Sequence, residues 1–177
     1  QLPATALRRL EHRMGPGGFR RLLAAGASFD EAHHDHLTTL TGTGHAAIAT
    51  GARVADHGIA GNEWYDRETG KEVYCVADPD HRWIGARERE GDGTSPRNLQ
   101  GTTFGDELRI WGGLASKVIA LGLKDRGAIV LGGKLGKAFW YDGRTGRIVS
   151  STYYFPEGKL PSWVEAFNAA DPAGTLF

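Results

Sequence analysis

The sequence predicts an α/β fold in which a mostly parallel central sheet is flanked by helices and carries two accessory β-hairpins. Amphipathic helical patterns occur near both ends of the chain. A β-branched apolar run at residues 116–123, SKVIALGL, is typical of a strand buried in a parallel sheet. The string WYDxxTG occurs twice, and each copy begins a predicted hairpin.

Composition limits the classes of partner. The 177 residues suffice for one domain, and 21 basic and 21 acidic residues cancel, so bulk charge indicates neither a nucleic-acid nor a membrane partner. No apolar run approaches the roughly 20 residues that span a bilayer. A lone cysteine, Cys75, excludes an internal disulfide framework.

Two short helices are predicted first, over residues 4–14 and 19–25, with Gly26 ending the second. The following segment, 27–36, contains three histidines and three acids. Alternate residues of an extended segment point to opposite sides, so no three of these groups converge on a metal. We interpret the segment as a polar, solvated lead-in.

The stretch 37–51, LTTLTGTGHAAIATG, predicts a hydroxyl-rich turn that leads into a short helix. A hydroxyl at a helix N-terminus lies beside free backbone N–H groups and the positive end of the helix dipole, which together hold an anion. Two interpretations stay open at this point: a nucleophile, or threonines that only cap the helix. We interpret His45 as a hydrogen-bonded structural histidine.

Residues 53–60 are predicted to form a loop, and the hairpins lie near 61–76 and 138–152. Two copies of a hairpin separated by a long mixed segment do not make a propeller, so both are interpreted as accessory. Between them, 78–96 is predicted to be a polar surface excursion and 102–111 a capped helix.

The predicted strand at 116–123 ends in Lys124, Asp125 and Arg126. If the chain stays extended, the two cations project to one side at the carboxyl edge of the sheet, where ligands bind in open α/β folds. A guanidinium and an ammonium suit a phosphoryl group. The alternative is a charged loop whose members pair with one another. A final amphipathic helix is predicted over 160–170, with Pro161 at its start.

Several separated strings occur in an order that resembles a known family: TGH, HGIAGNEWYDxxTGKxVYCV, SPRN, SKVIALGLKDRGAI, a second WYDxxTG and STYY. The chain resembles the N-terminal portion of the alkaline phosphatase superfamily. More narrowly, it resembles the PafA-like branch with a threonine nucleophile, which is related to nucleotide pyrophosphatases and phosphodiesterases. The resemblance implies that residues 1–177 are the N-terminal part of one alkaline-phosphatase-like catalytic domain, a sandwich around the central sheet.

The resemblance also implies roles for four residues. Thr41 becomes the nucleophile and a zinc contact, with Thr43 as its rival; Asn62 binds a phosphate oxygen, and Lys124 with Arg126 contacts the transferred phosphoryl group. The expected cofactor is a pair of Zn²⁺ ions. One would activate the threonine, which would form a phosphothreonine intermediate that water then hydrolyses.

The family's other zinc ligands have no counterpart in this sequence, so we expect the chain to be a fragment that is inactive alone. Three functions compete: a phosphate monoesterase acting on small molecules, a phosphodiesterase or nucleotide pyrophosphatase, and a non-catalytic binding module. The first is preferred. The resemblance implies a periplasmic or secreted protein; we expect no nucleic-acid partner and no membrane span, and a monomer rather than an oligomer.

Overall fold

A computed structural model describes residues 4–29, 31–85, 93–113, 115–171 and 174. The chain divides into two compact units, residues 1–35 and 36–177. In the first unit, α1 (Ala4–Leu10) continues as a short 3-10 turn (Glu11–Arg13), and α2 spans Phe19–Ala25. The backbone N–H of Gly26 donates to the Leu22 carbonyl at 2.8 Å, so the predicted end of the second helix is confirmed.

The second unit contains a four-stranded sheet, a separate two-stranded hairpin and five helices within the described residues. None of the described helices is long and apolar enough to cross a membrane. In chain order the elements are α3 (Thr41–Thr50), α4 (Val54–His57), β1 (Glu63–Asp66), β2 (Lys71–Tyr74), β3 (Trp83–Ile84), α5 (Phe104–Trp111), β4 (Ile119–Gly122), α6 (Asp125–Gly132), β5 (Lys137–Asp142), β6 (Arg147–Ser151) and α7 (Ser162–Ala169).

The larger sheet has the strand order β3-β6-β5-β4. β4 and β5 are parallel, with Ile119 opposite Lys137, and helix α6 connects them. The other two pairs are antiparallel. The sequence predicts a mostly parallel sheet, but in the described part only one pair is parallel, because a tight turn joins β5 to β6 and forces those strands to run in opposite directions.

The second predicted hairpin is not accessory: β5 and β6 are the two inner strands of the larger sheet. Its flanking residues are apolar, and Phe139, Trp140 and Val149 are fully buried in the core. Burial of that apolar surface drives the hairpin into the sheet. The first hairpin, β1-β2, forms a sheet of its own.

Three further differences separate prediction from structure. The predicted loop 53–60 contains the single-turn helix α4, which Gly58 caps in a left-handed conformation with φ 75°. The predicted excursion 78–96 supplies β3, which pairs with β6; its residues 86–92 lie outside the described part of the chain. Strand β4 is at one edge of the described sheet, so Leu121 is exposed rather than buried.

The predicted capped helix is confirmed in detail. The Thr103 hydroxyl accepts the Asp106 backbone N–H at 3.1 Å, and the Asp106 carboxylate accepts the Thr103 N–H at 2.9 Å, which is a capping box. The same carboxylate accepts the Leu135 N–H at 2.6 Å. Asp106 therefore ties the start of α5 to the loop that leads into β5.

Candidate active site

Thr41 is the first residue of α3, and the preceding Leu40 has extended backbone. The Thr41 hydroxyl thus lies at the N-terminus of a ten-residue helix, and its side chain is half-buried. Thr43, the rival nucleophile, is completely buried. A side chain that is shut away from solvent does not meet a substrate, so the structure favours Thr41 over Thr43.

Asn62 is held against the start of α3. Its Oδ1 accepts the Gly42 backbone N–H at 2.9 Å. Because that partner is a donor, the amide presents oxygen to the helix, and its Nδ2 donors remain for another acceptor. Asn62 also accepts the Cys75 N–H at its carbonyl, at 2.8 Å, which fixes it to the base of the β1-β2 hairpin.

Gly42 lets the helix and the hairpin approach this closely. A Cβ at this position would lie 2.8 Å from the Gly61 carbonyl oxygen and 3.2 Å from the Cys75 sulfur. Real Cβ atoms essentially never approach a carbonyl oxygen to 2.8 Å, so any larger residue here would force the start of α3 away from the segment that contains Gly61 and Asn62.

The first turn of α6 lies beside Thr41. A Cβ built on Gly127 would be 3.9 Å from the Thr41 methyl group and 3.8 Å from the His45 Nε2. The two cations predicted to act together, Lys124 and Arg126, are at this end of the helix. The structure therefore brings the start of α6, which follows Lys124 and contains Arg126, close to Thr41, although Lys124 is 83 positions after Thr41 in the sequence.

The cations do not share one side of an extended strand, as the alternation of side chains predicted. β4 ends at Gly122, Lys124 is the residue before the helix, and Asp125 begins α6. The acidic residue in the first turn complements the positive end of the helix dipole. Lys124 is exposed, whereas Arg126 is half-buried.

Arg126 belongs to a hydrogen-bonded group on the β2 side of the site. Its Nη1 donates to the Tyr74 hydroxyl at 3.1 Å, and that hydroxyl donates to Asp125 Oδ1 at 2.6 Å. The Arg126 backbone N–H donates to the same oxygen at 2.7 Å. The guanidinium carbon lies 5.8 Å from the centre of the Tyr74 ring.

Burial and these contacts shift several pKa values. Burial, with the nearby Asp125 carboxylate, raises the pKa of the Tyr74 hydroxyl well above its ordinary range. The same two causes raise the pKa of the Cys75 thiol to about 12, so Cys75 is an inert thiol. Burial opposes the charge of Arg126, but the hydrogen bond to Tyr74 and the charge interactions with Tyr74, Asp125 and Cys75 together outweigh it, so the pKa of Arg126 is raised.

The electrostatics of the site favour an anion. The N-termini of α3 and α6 both carry the positive ends of helix dipoles, and Lys124 and Arg126 add two full charges. Asp125 is the one carboxylate that is bonded to this group among the described residues. A doubly charged phosphoryl group suits this balance of charge.

The described residues do not fit a two-metal centre. In the part of the chain that the structure describes, no group of three or more His, Cys, Asp or Glu side chains converges. His45, the nearest histidine to Thr41 by sequence, has its Nδ1 2.7 Å from the Thr41 carbonyl oxygen. In the histidine-rich lead-in, His33 lies 3.3 Å from Glu31, and both are largely exposed; Asp30 is outside the described residues.

Three residues of the site were not found by sequence reasoning. Tyr74 stands in the VYCV string without a feature that predicts a role, and Asp125 was considered only in the alternative in which the charged residues pair with one another. Asn98, in the SPRN string, donates to the carbonyls of Tyr74 and Cys75 at 3.3 and 3.4 Å. The strings were visible, but the contacts depend on how the hairpin folds back on α6.

Comparison with known proteins defines the class. The model of the type I phosphodiesterase / nucleotide pyrophosphatase family matches residues 1–176, so the chain belongs to that family. Among its relatives, the chain is 44% identical over 163 residues to alkaline phosphatase PafA of Elizabethkingia meningoseptica, a match that covers 92% of this chain and 30% of PafA. It is 45% identical over 164 residues to alkaline phosphatase PhoV of Synechococcus elongatus, covering 92% of this chain and 29% of PhoV.

Solved structures of PafA are also similar to this chain. The crystal structure of wild-type PafA superposes with a TM-score of 0.86 at 41% identity, covering 93% of this chain and 32% of PafA. A PafA variant with a threonine, an asparagine, a lysine and an arginine substituted superposes with a TM-score of 0.90 at 39% identity, covering 96% of this chain and 33% of the variant. The predicted family and fold class are therefore confirmed, and the chain spans about a third of the length of these relatives.

Proposed function

We propose that the protein is a phosphate monoester hydrolase in which Thr41 is the nucleophile and Asn62, Lys124 and Arg126 bind the transferred phosphoryl group. One observation carries the proposal: α6 begins against Thr41, with Gly127 as the contact, while Asn62 is bonded to the neighbouring Gly42 at 2.9 Å. We infer from this that the hydroxyl, the amide and the two cations bind one anion between them.

The chemistry follows from these groups. The Thr41 hydroxyl gives up its proton to solvent as its oxygen attacks phosphorus, and the leaving oxygen takes up a proton as its bond to phosphorus breaks. Water then attacks the phosphothreonine, which releases inorganic phosphate and restores the Thr41 hydroxyl. Charge builds on the non-bridging oxygens during each displacement. In this proposal the donors of Asn62, Lys124, Arg126 and the two helix N-termini oppose that charge, and hydrogen bonds to Gly42 and Tyr74 hold Asn62 and Arg126 in place beforehand.

The comparisons support these roles. The four residue types substituted in the PafA variant are those of Thr41, Asn62, Lys124 and Arg126, and they follow one another at the same intervals along both chains. The names of PafA and PhoV describe alkaline phosphatases. We extend that activity to this protein as part of the proposal, together with a periplasmic or secreted location.

Two Zn²⁺ ions are the cofactor that we propose for the whole protein. Because the described residues do not assemble a metal site, most of the ligands would be other residues, and no step above depends on the metal. We therefore predict that the 177-residue polypeptide alone, supplied with zinc, has no phosphatase activity above that of its Thr41→Ala variant. Zinc-dependent turnover that Thr41→Ala abolishes would contradict this prediction.

The second candidate is a phosphodiesterase, which the name of the matching family favours. The two differ in charge: a monoester brings a doubly charged terminal phosphate, whereas a diester replaces one charged oxygen with an ester group. We propose that Lys124, which is exposed, binds the second charge. Lys124 therefore decides between the two activities.

Rates on an aryl phosphate and on the matching bis-aryl diester test both points. In the protein expressed from its complete gene, we expect Thr41→Ala to lower turnover about 10⁴-fold or more, and Thr39→Ala, an exposed threonine before the helix, to leave it unchanged. Lys124→Ala should lower kcat/KM for the monoester by about 10²-fold and much less for the diester. Faster diester hydrolysis by the unaltered protein would support the phosphodiesterase, and ligand retention without any turnover would support the binding module.

A further inference from the structure

The β1-β2 hairpin ends in a residue that touches one of the proposed phosphate-binding cations. Tyr74 accepts a hydrogen bond from Arg126 Nη1 and donates one to Asp125. This hydroxyl has one hydrogen to give and receives one, so its orientation is fixed between the two residues. Among the side chains that the structure describes, Tyr74 is the one to which the Arg126 guanidinium donates a hydrogen bond.

The arrangement differs from a direct ion pair. Within the described residues, no carboxylate forms a salt bridge with the Arg126 guanidinium. A bidentate carboxylate would occupy two of its N–H groups and neutralise its charge. A tyrosine between the two occupies one N–H group and adds no charge, which leaves the others, and the full positive charge, for a ligand.

Two residues that contact Tyr74, Asp125 and Asn98, hold it in place. Asp125 Oδ1 accepts both the Tyr74 hydroxyl and the Arg126 backbone N–H, so the acceptor is anchored to the first turn of α6. The Asn98 side-chain amide donates to the Tyr74 backbone carbonyl at 3.3 Å. The ring cannot move away from Arg126 without breaking contacts with α6 and with the segment around Asn98.

We propose that Tyr74, held by Asp125, is a positioning residue that fixes the Arg126 guanidinium for the phosphoryl group. The inference rests on the proposed function, because it takes Arg126 as a phosphate ligand. Tyr74 does not touch the substrate. Its effect on the reaction depends entirely on Arg126, so a Tyr74 substitution should have little effect once Arg126 is removed.

The experiment is a double-mutant cycle on the protein expressed from its complete gene, with an aryl phosphate as substrate and inorganic phosphate as competitive inhibitor. Tyr74→Phe should lower kcat/KM about tenfold and weaken inhibition by phosphate by a similar factor, since it removes one hydrogen bond to a charged group. In the Arg126→Ala background, Tyr74→Phe should change neither quantity more than about twofold.

Tyr65→Phe is the matched control. It removes a hydroxyl from the same hairpin; Tyr65 is 66% exposed, and its hydroxyl forms no hydrogen bond within the described part of the chain. Its activity should equal that of the unaltered protein. Asp125→Asn, which keeps an acceptor for Tyr74 but removes its charge, should have an effect in the same direction as Tyr74→Phe.

Two results would overturn the inference: full activity of Tyr74→Phe, or an equal loss from Tyr74→Phe with and without Arg126. The second would mean that the tyrosine acts on folding rather than on the guanidinium. A different result, Arg126→Ala with unchanged activity and unchanged phosphate inhibition, would refute the proposed phosphate site itself. The two failures are therefore distinguishable.

Discussion

The two hairpins share the string WYDxxTG but have different places in the structure. Their turns are the same: the Gly70 N–H donates to the Asp66 carbonyl at 2.9 Å, and the Gly146 N–H donates to the Asp142 carbonyl at 2.9 Å. Both glycines have positive φ, 66° and 70°. In each copy the threonine hydroxyl also bonds the aspartate carboxylate, at 2.7 and 2.9 Å.

What differs is the sequence around the string. The second copy is flanked by Ala138, Phe139 and Val149, and it lies inside the main sheet. The first is flanked by Asn62 and Tyr74, and it lies against α3 and α6 through hydrogen bonds. The shared string therefore specifies the turn, whereas the residues just outside it determine whether the hairpin packs in the core or lies at the candidate site.

The largest expected effect concerns the core hairpin. Trp140 is buried and packs edge-to-face against Trp83, with ring centres 5.4 Å apart. We expect Trp140→Ala to lower the free energy of unfolding by about 3–5 kcal/mol. Trp64→Ala, the equivalent change in the site hairpin, should cost about 1–2 kcal/mol because Trp64 is only partly buried. Urea denaturation measures both, and equal losses would break the distinction between the hairpins.

The second effect concerns the site hairpin. Asn62→Asp keeps the acceptor for the Gly42 N–H but replaces two donors with a negative charge beside the incoming phosphate. We expect kcat/KM for an aryl phosphate to fall about 10²–10³-fold with little loss of stability. Activity within a factor of two of the unaltered protein would show that Asn62 only holds the hairpin.

The turn of the core hairpin should depend on pH. Burial raises the pKa of Asp142, but hydrogen bonds from Arg144 and Thr145 outweigh it, so the pKa is lowered in the folded state. The stability that this carboxylate contributes is therefore complete above its unfolded pKa, about 3.9, and is lost as the pH falls through the lower folded value. Urea unfolding of Asp142→Asn should accordingly show a shallower loss of stability below pH 4 than the unaltered protein does.

Asp66 provides the control for that prediction. Its pKa is also lowered, chiefly by the Thr69 hydroxyl, but the carboxylate is exposed to solvent. Asp66→Asn should change the pH dependence less than Asp142→Asn. A larger effect at Asp66 would mean that burial does not distinguish the two turns.

Much of the fold was predictable because it is encoded locally. The caps at Thr103 and Gly26, the two turns and the β-branched strand each depend on residues close together in the chain. The place of the second hairpin was not predictable, since an apolar flank such as Ala138 to Trp140 fits an accessory hairpin and an inner strand equally well.

Part of the candidate site could also be predicted from the sequence, and part depends on contacts between distant residues. A hydroxyl at the helix start and the cations Lys124 and Arg126 at the strand end were predicted from local patterns, whereas the choice of Thr41 and the role of Asn62 came from the family resemblance. Tyr74 and Asp125 were not, because their importance comes from a contact between β2 and α6 across 51 residues of chain. Neither the hydrophobic periodicity nor a sequence motif predicts a hydrogen bond between residues so far apart in the chain.

The most direct test of the central claim is to trap the covalent intermediate. The protein expressed from its complete gene is mixed with an excess of an aryl phosphate, quenched in acid and digested, and the peptides are examined by mass spectrometry. The account predicts one phosphoryl group on Thr41, absent from Thr41→Ala. Phosphate ester turnover with no phosphopeptide, or with the phosphoryl group on another residue, would contradict it.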